Sequence, residues 1–414
     1  MSAPATSAVP ASTAHRMTAD ERRASLSLAG IFALRMLGLF LVLPVFALEA
    51  ARYPGGDDPA LVGLAMGIYG LTQAVMQVPL GLASDRIGRK KVIVAGLLVF
   101  ALGSALAALA GSVHMLLAGR ALQGAGAVSA AVTALLADLT RDEVRTKAMA
   151  LVGASIGLMF ALSLVLAPLL VAAVGLPGLF VLTAALAFAG IATVIWAVPP
   201  EPREHRIQPR GKLSDVLAHP GLLRLNIGVF VLHAVQLAMW MAVPALLERD
   251  GLSKDHHWWI YLPAVLASFF VMGGTLFPME RRGYLRAVFL CAIGLVALVQ
   301  IGLLAAATGS PGLMVLGLLM FVFFCGFNIL EASQPSMVSR IAPPQARGAA
   351  LGVYNTLQSL GLFAGGVAGG ALVKAYGPQG LFGVCAGAIV LWLLVAWPMV
   401  APARDGLPGA PKAS

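Results

Sequence analysis

Apolar residues run in blocks of about 20 along nearly the whole chain, the length that one membrane-spanning helix needs, and the breaks between blocks are short and polar. Reading blocks against charged or Gly/Pro breaks predicts twelve spans, at 26–51, 60–82, 92–110, 113–139, 147–173, 178–198, 221–247, 259–279, 286–307, 312–338, 348–373 and 380–401. One break is long, 199–220, and reads "PPEPREHRIQPRGKLSDVLAHP". Polar, basic and proline-rich, it divides the chain into six spans and six. The pattern predicts an all-α integral membrane protein with twelve transmembrane helices in two pseudo-symmetric six-helix bundles, 26–198 and 221–401. Tails at 1–25 and 402–414 flank them. The first tail lacks the basic-then-apolar order and cleavage site of a signal peptide and is expected to be disordered.

Composition agrees: 59% of the 414 residues are hydrophobic and 11% charged. A net charge of +10 would suggest nucleic acid until the bases are located. With the N-terminus inside, 21 of the 28 Lys and Arg residues fall in cytoplasmic segments, and only Arg52, Arg249, Lys254 and Lys374 in external loops. That asymmetry places both termini and the linker in the cytoplasm and accounts for the charge with no nucleic-acid partner. A multi-pass protein of the bacterial cytoplasmic (inner) membrane is expected. Cys291, Cys325 and Cys385 lie inside apolar runs without zinc or redox spacing, and read as small core or lipid-facing residues.

The halves echo each other. "DRIGRKKV" between spans 2 and 3 has a degraded counterpart in "ERRGYLRAV" between spans 8 and 9, 195 residues on. "RTKAMALVG" from Arg145 matches "RGAALGVYN" from Arg347, 202 residues on. Two pairs at nearly one offset, with a linker between, point to a duplicated six-helix unit.

At these residues the chain resembles the major facilitator superfamily, in its twelve-span, drug:proton antiporter-like branch. "GLASDRIGRKK" is similar to that family's loop 2–3 motif, with Gly81, Asp85, Arg86, Gly88 and Arg89 in place, and "RALQGAG" with Arg120 and Gln123 to its span 4 motif. "DERRA…RMLG", "IYGLTQAVMQVPLGL" and "RTKAMA" resemble the YajR-type subfamily. That subfamily carries a soluble domain after span 12, which is expected to be lacking here, since about thirteen residues follow the last span. Antiporters of the superfamily usually have Gly-Pro in span 5, where this chain has Ala167-Pro168. The resemblance implies a transporter working by alternating access.

A charge at depth in lipid costs a few kcal/mol and so faces a cavity or a partner. Four ionisable residues lie deep: Arg35, Arg120, His233 and Glu331, in spans 1, 4, 7 and 10. The resemblance implies that these spans line the central cavity. At 1.5 Å per residue, Arg35 and Glu331 come out about 13 and about 12 Å from the inner ends of their helices, so an ion pair between them is expected. Such a pair could be a static strut, or Glu331 could alternate between a proton and an arginine. Arg120 and His233 lie higher, with Gln123 and Gln236 one turn along. His233 reads more readily as a satisfied polar residue than as a proton carrier. In span 11, Tyr354, Asn355 and Gln358 are polar enough to touch the cavity. The aromatics Tyr69, Phe160, Trp240 and Phe327 read more readily as packing. "GLAMGIYG" in span 2 and "GVYNTLQSLGLFAGGVAGG" in span 11 place small residues four apart, which lets helices approach closely.

Asp85 and Asp138 stand at inner helix C-termini, where the dipole disfavours an acid. Arg89, held by the turn at Gly88, is the expected partner of Asp138. The N-terminus of span 11 near Gly348 is the expected partner of Asp85, which makes the loop a conformational latch between the halves. Bases such as Arg86 also set topology.

The expected function is a secondary active transporter, proton-coupled and exporting small organic molecules or drugs, and not an enzyme. No cofactor is expected, the proton gradient supplying the energy, and there is no P-loop for ATP and no metal cluster. The expected partners are a small-molecule substrate, protons and membrane lipid, with the protein a monomer. An uptake symporter is the alternative, followed by a non-transporting sensor or scaffold.

Overall fold

The structure is a computed structural model that describes residues 17–201, 213–343 and 346–400. The predicted C-terminal tail, most of the N-terminal tail and the centre of the linker lie outside these residues. Every regular element among those described is helical. The helices are α1 (Ala19–Phe40), α2 (Leu43–Ala50), α3 (Pro59–Ile87), α4 (Arg89–Ala108), α5 (Val113–Ala125), α6 (Ser129–Asp138), α7 (Asp142–Trp196), α8 (Leu213–Ala218), α9 (Pro220–Met239), α10 (Val243–Arg249), α11 (Trp258–Arg281), α12 (Leu285–Thr308), α13 (Leu313–Ile341) and α14 (Arg347–Ala396).

Ten helices or helix pairs are long and apolar enough to cross a membrane. Two of them, α7 and α14, are about twice the length that one crossing needs. Each breaks at a glycine in the left-handed region, Gly175 (φ 67°) and Gly377 (φ 66°), followed closely by Pro177 or Pro378. Glycine takes that φ without steric cost, and proline withholds the N–H that would continue the ladder. The breaks fall where the predicted spans 5 and 6, and 11 and 12, meet.

Two further breaks were not predicted. Span 1 is interrupted at Leu41–Val42 between α1 and α2, and span 7 at 240–242 between α9 and α10, with Pro44 and Pro244 in the first turns that follow. The repeat is therefore structural as well as sequential. Gly175 and Gly377 lie 202 residues apart, and Gly88 and Gly283, both at positive φ, lie 195 apart. These are the offsets of the two sequence echoes.

Some boundaries differ from expectation. The first helix begins at Ala19 rather than near 26, because Thr18 and Glu21 form a capping box: Thr18 Oγ1 accepts from the Glu21 N–H and Glu21 returns the bond. Glu21 also turns inward to take three bonds from Arg141 after α6, tying the start of span 1 to the loop after span 4. The linker ends in the short helix α8.

The apolar core is continuous between the halves on the side that the charge count places outside. There Phe46, Met66 and Phe160 pack in one cluster with Leu232, Trp240 and Phe327. At the inner end a second cluster, including Leu28, Val92, Leu135 and Val194, is built from first-half residues alone. The halves meet closely at the outer end. Of the cysteines, Cys325 and Cys385 are buried and Cys291 is exposed on the apolar surface.

Candidate functional site

Three layers lie between the outer and inner ends. The outermost is a seam between α3 and the first part of α14. An added Cβ at Gly67 would lie 2.7 Å from the Phe363 carbonyl oxygen, and one at Gly366 would lie 2.6 Å from the Gly63 oxygen and 2.7 Å from the Gly67 Cα. Only glycine permits backbones this close. The neighbouring glycines Gly361, Gly365 and Gly369 face Phe230, Ala234 and Ala238 of α9, within the second half. Span 11 thus carries two glycine faces, one toward its own half and one toward the other.

Two ion pairs clasp the halves at this end. Lys254 Nζ donates to Glu49 at 2.6 Å, and Lys374 Nζ to Asp58 at 2.9 Å. Asp58 also caps α3 by accepting from the Ala60 N–H. The Lys374 bond first, and the Ala60 N–H next, hold the Asp58 carboxyl below its ordinary range. A lowered carboxylate pKa leaves the pair formed at neutral pH and loses it as pH falls through that lowered value. These pairs use two of the four external bases that the sequence marked. Their acid partners were missed because Glu49 and Asp58 sit at span ends, where an acid is unremarkable.

The middle layer is polar. In the first half, fully buried Arg35 donates to Ser129 Oγ (3.0 Å), Tyr69 Oη (2.6 Å) and Gln73 Oε1 (3.0 Å). Arg120, equally buried, donates to Gln123 Oε1 at 3.0 Å and packs 4.9 Å from the centroid of the Tyr69 ring. Gln123 passes the chain on to Ser104. The two arginines thus straddle one tyrosine. In the second half, His233, Gln358 and Glu331 form one cluster. His233 Nδ1 lies 2.9 Å from the Val229 carbonyl oxygen, which fixes the proton on that nitrogen. Its Nε2 lies 2.7 Å from Gln358 Nε2 and 3.4 Å from Glu331 Oε2, and Gln358 donates to Glu331 Oε1 at 3.3 Å. Tyr354 and Gln236 are buried nearby in sequence, and Asn355 is half-buried.

The expected Arg35–Glu331 pair is therefore overturned. Arg35 gives its guanidinium bonds, from Nη1 and Nη2, to neutral groups within its own half, and Glu331 faces His233. Rise per residue fixes depth along a helix but not the direction in which a side chain leaves it. What joins the halves at this level is Gln73, whose Nε2 donates to Ser359 Oγ at 2.9 Å, one residue from Gln358. Tyr69, Gln73, Ser129 and Ser359 were not marked as site residues. Each stands as one polar group in an apolar stretch, and only the third dimension gathers them. Outward of them, Phe160 of the first half meets Phe324 and Phe327 of the second at centroid distances of 6.2 and 5.9 Å, and Phe40 backs Phe160 at 5.1 Å.

The innermost layer is the loop between α3 and α4. Arg89 Nε donates to Asp138 at 3.1 Å, as expected, and Nη1 to Ser84 Oγ at 2.7 Å. Arg89 also pairs with Asp85, so one guanidinium serves both helix-end acids, where the sequence pointed Asp85 at the start of span 11 near Gly348. Gly88 turns at φ 104°, and the N–H groups of Arg89 and Lys90 then donate to Glu201 at 3.1 and 2.6 Å. That carboxylate caps the positive end of α4. Gly81 is half-buried and Arg86 exposed. The second half echoes the arrangement with the Glu280–Arg340 pair.

The chain matches the Major Facilitator Superfamily over residues 28–365 and again over 279–413. It is 44% identical to the inner membrane transport protein YajR of Escherichia coli over 94% of this chain and 86% of that one. It is 28% identical to the multidrug resistance protein MdtH of Aeromonas salmonicida, over 83% and 86%. Among solved structures it resembles the D-xylose-proton symporter, with a TM-score of 0.72 over 91% and 98% of the chains at 17% identity, a likeness of fold alone. A helical protein with paired halves, buried polar layers between them and this family match is a membrane transporter, and the chain belongs to the Major Facilitator Superfamily.

Proposed function

We propose that the chain is a twelve-span secondary active transporter of the bacterial cytoplasmic membrane, with both termini cytoplasmic, that exports small organic molecules in exchange for protons. The observation that carries this reading is the His233–Glu331 contact. With Nδ1 protonated and bonded to Val229, neutral imidazole accepts at Nε2 from the Gln358 amide at 2.7 Å, and a Glu331 carboxylate oxygen lies 3.4 Å from the same nitrogen. Imidazole nitrogen and carboxylate oxygen bond each other directly only through a shared proton. This reading assigns the transported proton to that pair; the Glu331 side chain is 35% exposed, with Oε2 itself buried against His233. Gln358 touches both groups, and its neighbour Ser359 is bonded to Gln73, so protonation is relayed to the contact between the halves.

Arg120, Gln123, Gln236, Tyr354 and Asn355 shape the substrate space in this reading. Arg35 holds the α1–α3–α6 junction that faces it. The multidrug resistance named for a relative supports export. Uptake by symport is the second reading, favoured by Ala167–Pro168 in span 5, where antiporters of the family carry glycine. Inverted vesicles with an imposed pH gradient decide between them. Export by exchange loads substrate into vesicles whose interior is acidic, whereas symport empties them.

The inner loop is the latch of the cycle, closing on the start of span 11 when the inner ends meet. Each of its surface pairs contributes about 1 kcal/mol or less. Asp85→Asn is accordingly expected to move the population toward the inward-open form by up to about five-fold. Reactivity of cysteines placed on the inner cavity wall reports it, and unchanged reactivity would remove Asp85 from the latch.

A further inference from the structure

A large cavity lies on the outer flank of the first bundle, away from the polar layers. It is a groove of about 750 Å³ between α1 and the two arms of α7, floored by Leu26, Gly30 and Leu34 with Met159 and Thr193 opposite. Its walls are almost wholly apolar, and Arg22 and Arg23 close one end. Gly30 forms part of the floor over open space: a Cβ built there meets nothing within 4 Å.

We infer that this groove holds one anionic phospholipid of the cytoplasmic leaflet, its acyl chain along α1 and its phosphate at Arg22. From Arg22 to Leu34 is twelve residues of helix, about 18 Å, close to the depth of one leaflet of a hydrocarbon core about 30 Å thick. The charged end is the one that the lysine and arginine count places in the cytoplasm, at headgroup level, where basic residues attract anionic lipid. Arg23 is spent on the helix end, donating to the Trp196 and Ala197 carbonyl oxygens at 3.2 and 2.9 Å. That bond fixes the rim and leaves Arg22, which is exposed, to meet the headgroup. An apolar groove open to the bilayer fills with hydrocarbon, because an empty one forfeits its dispersion contacts. The arginine selects which lipid supplies the chain.

Trp196 is 76% exposed beside the groove and supplies the probe. The protein is reconstituted into bilayers containing brominated phosphatidylglycerol or brominated phosphatidylcholine, with Trp196→Phe subtracting the other five tryptophans. Half-quenching of Trp196 is expected at about five-fold less phosphatidylglycerol, the preference that one interfacial arginine supplies. Arg22→Gln should abolish that preference, and Gly30→Phe, which fills the groove without meeting backbone, should abolish it by excluding the chain. Equal quenching by the two lipids in the wild type overturns the inference, as does a preference that survives both variants. Weak quenching by either lipid, the outcome if no acyl chain enters the groove, overturns it as well.

Discussion

Replacing Glu331 by glutamine is expected to abolish accumulation of substrate against its gradient while leaving substrate exchange across the membrane. Glutamine matches glutamate in shape and keeps an oxygen for the Gln358 amide, which donates to Oε1 at 3.3 Å. What it loses is the ability to take up and release a proton opposite His233 Nε2. Binding and rocking of the halves therefore persist, and only the coupling goes. The check is paired: pH-driven accumulation in inverted vesicles should fall to that of vesicles lacking the protein, while exchange of labelled for unlabelled substrate continues. Undiminished accumulation removes Glu331 from the mechanism.

The second large effect separates the two glycine faces of span 11. Gly366→Leu places its side chain against the backbone of Gly63 and Gly67, where no rotamer can yield. Overpacking of this kind costs about 1–3 kcal/mol, but here only while the outer ends are closed. The variant should fold, reach the membrane, and shift toward the outward-open form by about one to two orders of magnitude. Gly365→Leu, one residue earlier, drives into Ala234 of α9 within its own half. That contact does not open during the cycle, so this variant should lower the yield of folded protein. Labelling of a cysteine at Asp58 distinguishes them: strong in Gly366→Leu, and absent with the protein itself in Gly365→Leu. Identical behaviour of the two variants would mean that the α3–α14 seam is not a moving interface.

How much was legible in the chain follows from what each signal measures. Span length and hydropathy report one dimension. They marked the long apolar helices and the breaks within α7 and α14, because glycine at 175 and 377 with a nearby proline leaves the helix little choice, but not the breaks at 41–42 and 240–242. The duplication was legible for the same reason, its offsets reappearing in the paired glycines of the fold. Arg89–Asp138 was legible because an acid at a helix C-terminus needs a local cation, and the loop motif offers one. The Arg35–Glu331 pair failed because equal depth does not bring two helices to face each other. Arg35 turns to Tyr69, Gln73 and Ser129 instead. Tyr69 was read as packing, yet it holds one arginine by its hydroxyl and the other by its ring. An amphiphilic side chain does both, and hydropathy cannot say which end matters. The Gln73–Ser359 bond, which joins the halves, needed the glycine seam to bring α3 and α14 together. No local signal in either helix announces it.

The central claim is that a proton on the His233–Glu331 pair sets which end of the transporter is closed. Spin labels at Asp57 and Tyr376, exposed on opposite halves at the outer end, measure that directly in reconstituted protein by electron–electron distance distributions across pH. In the wild type, the short-distance, outer-closed population should change with pH. In Glu331→Gln the distribution should be the same at every pH. A pH-dependent shift that survives in Glu331→Gln would contradict the claim.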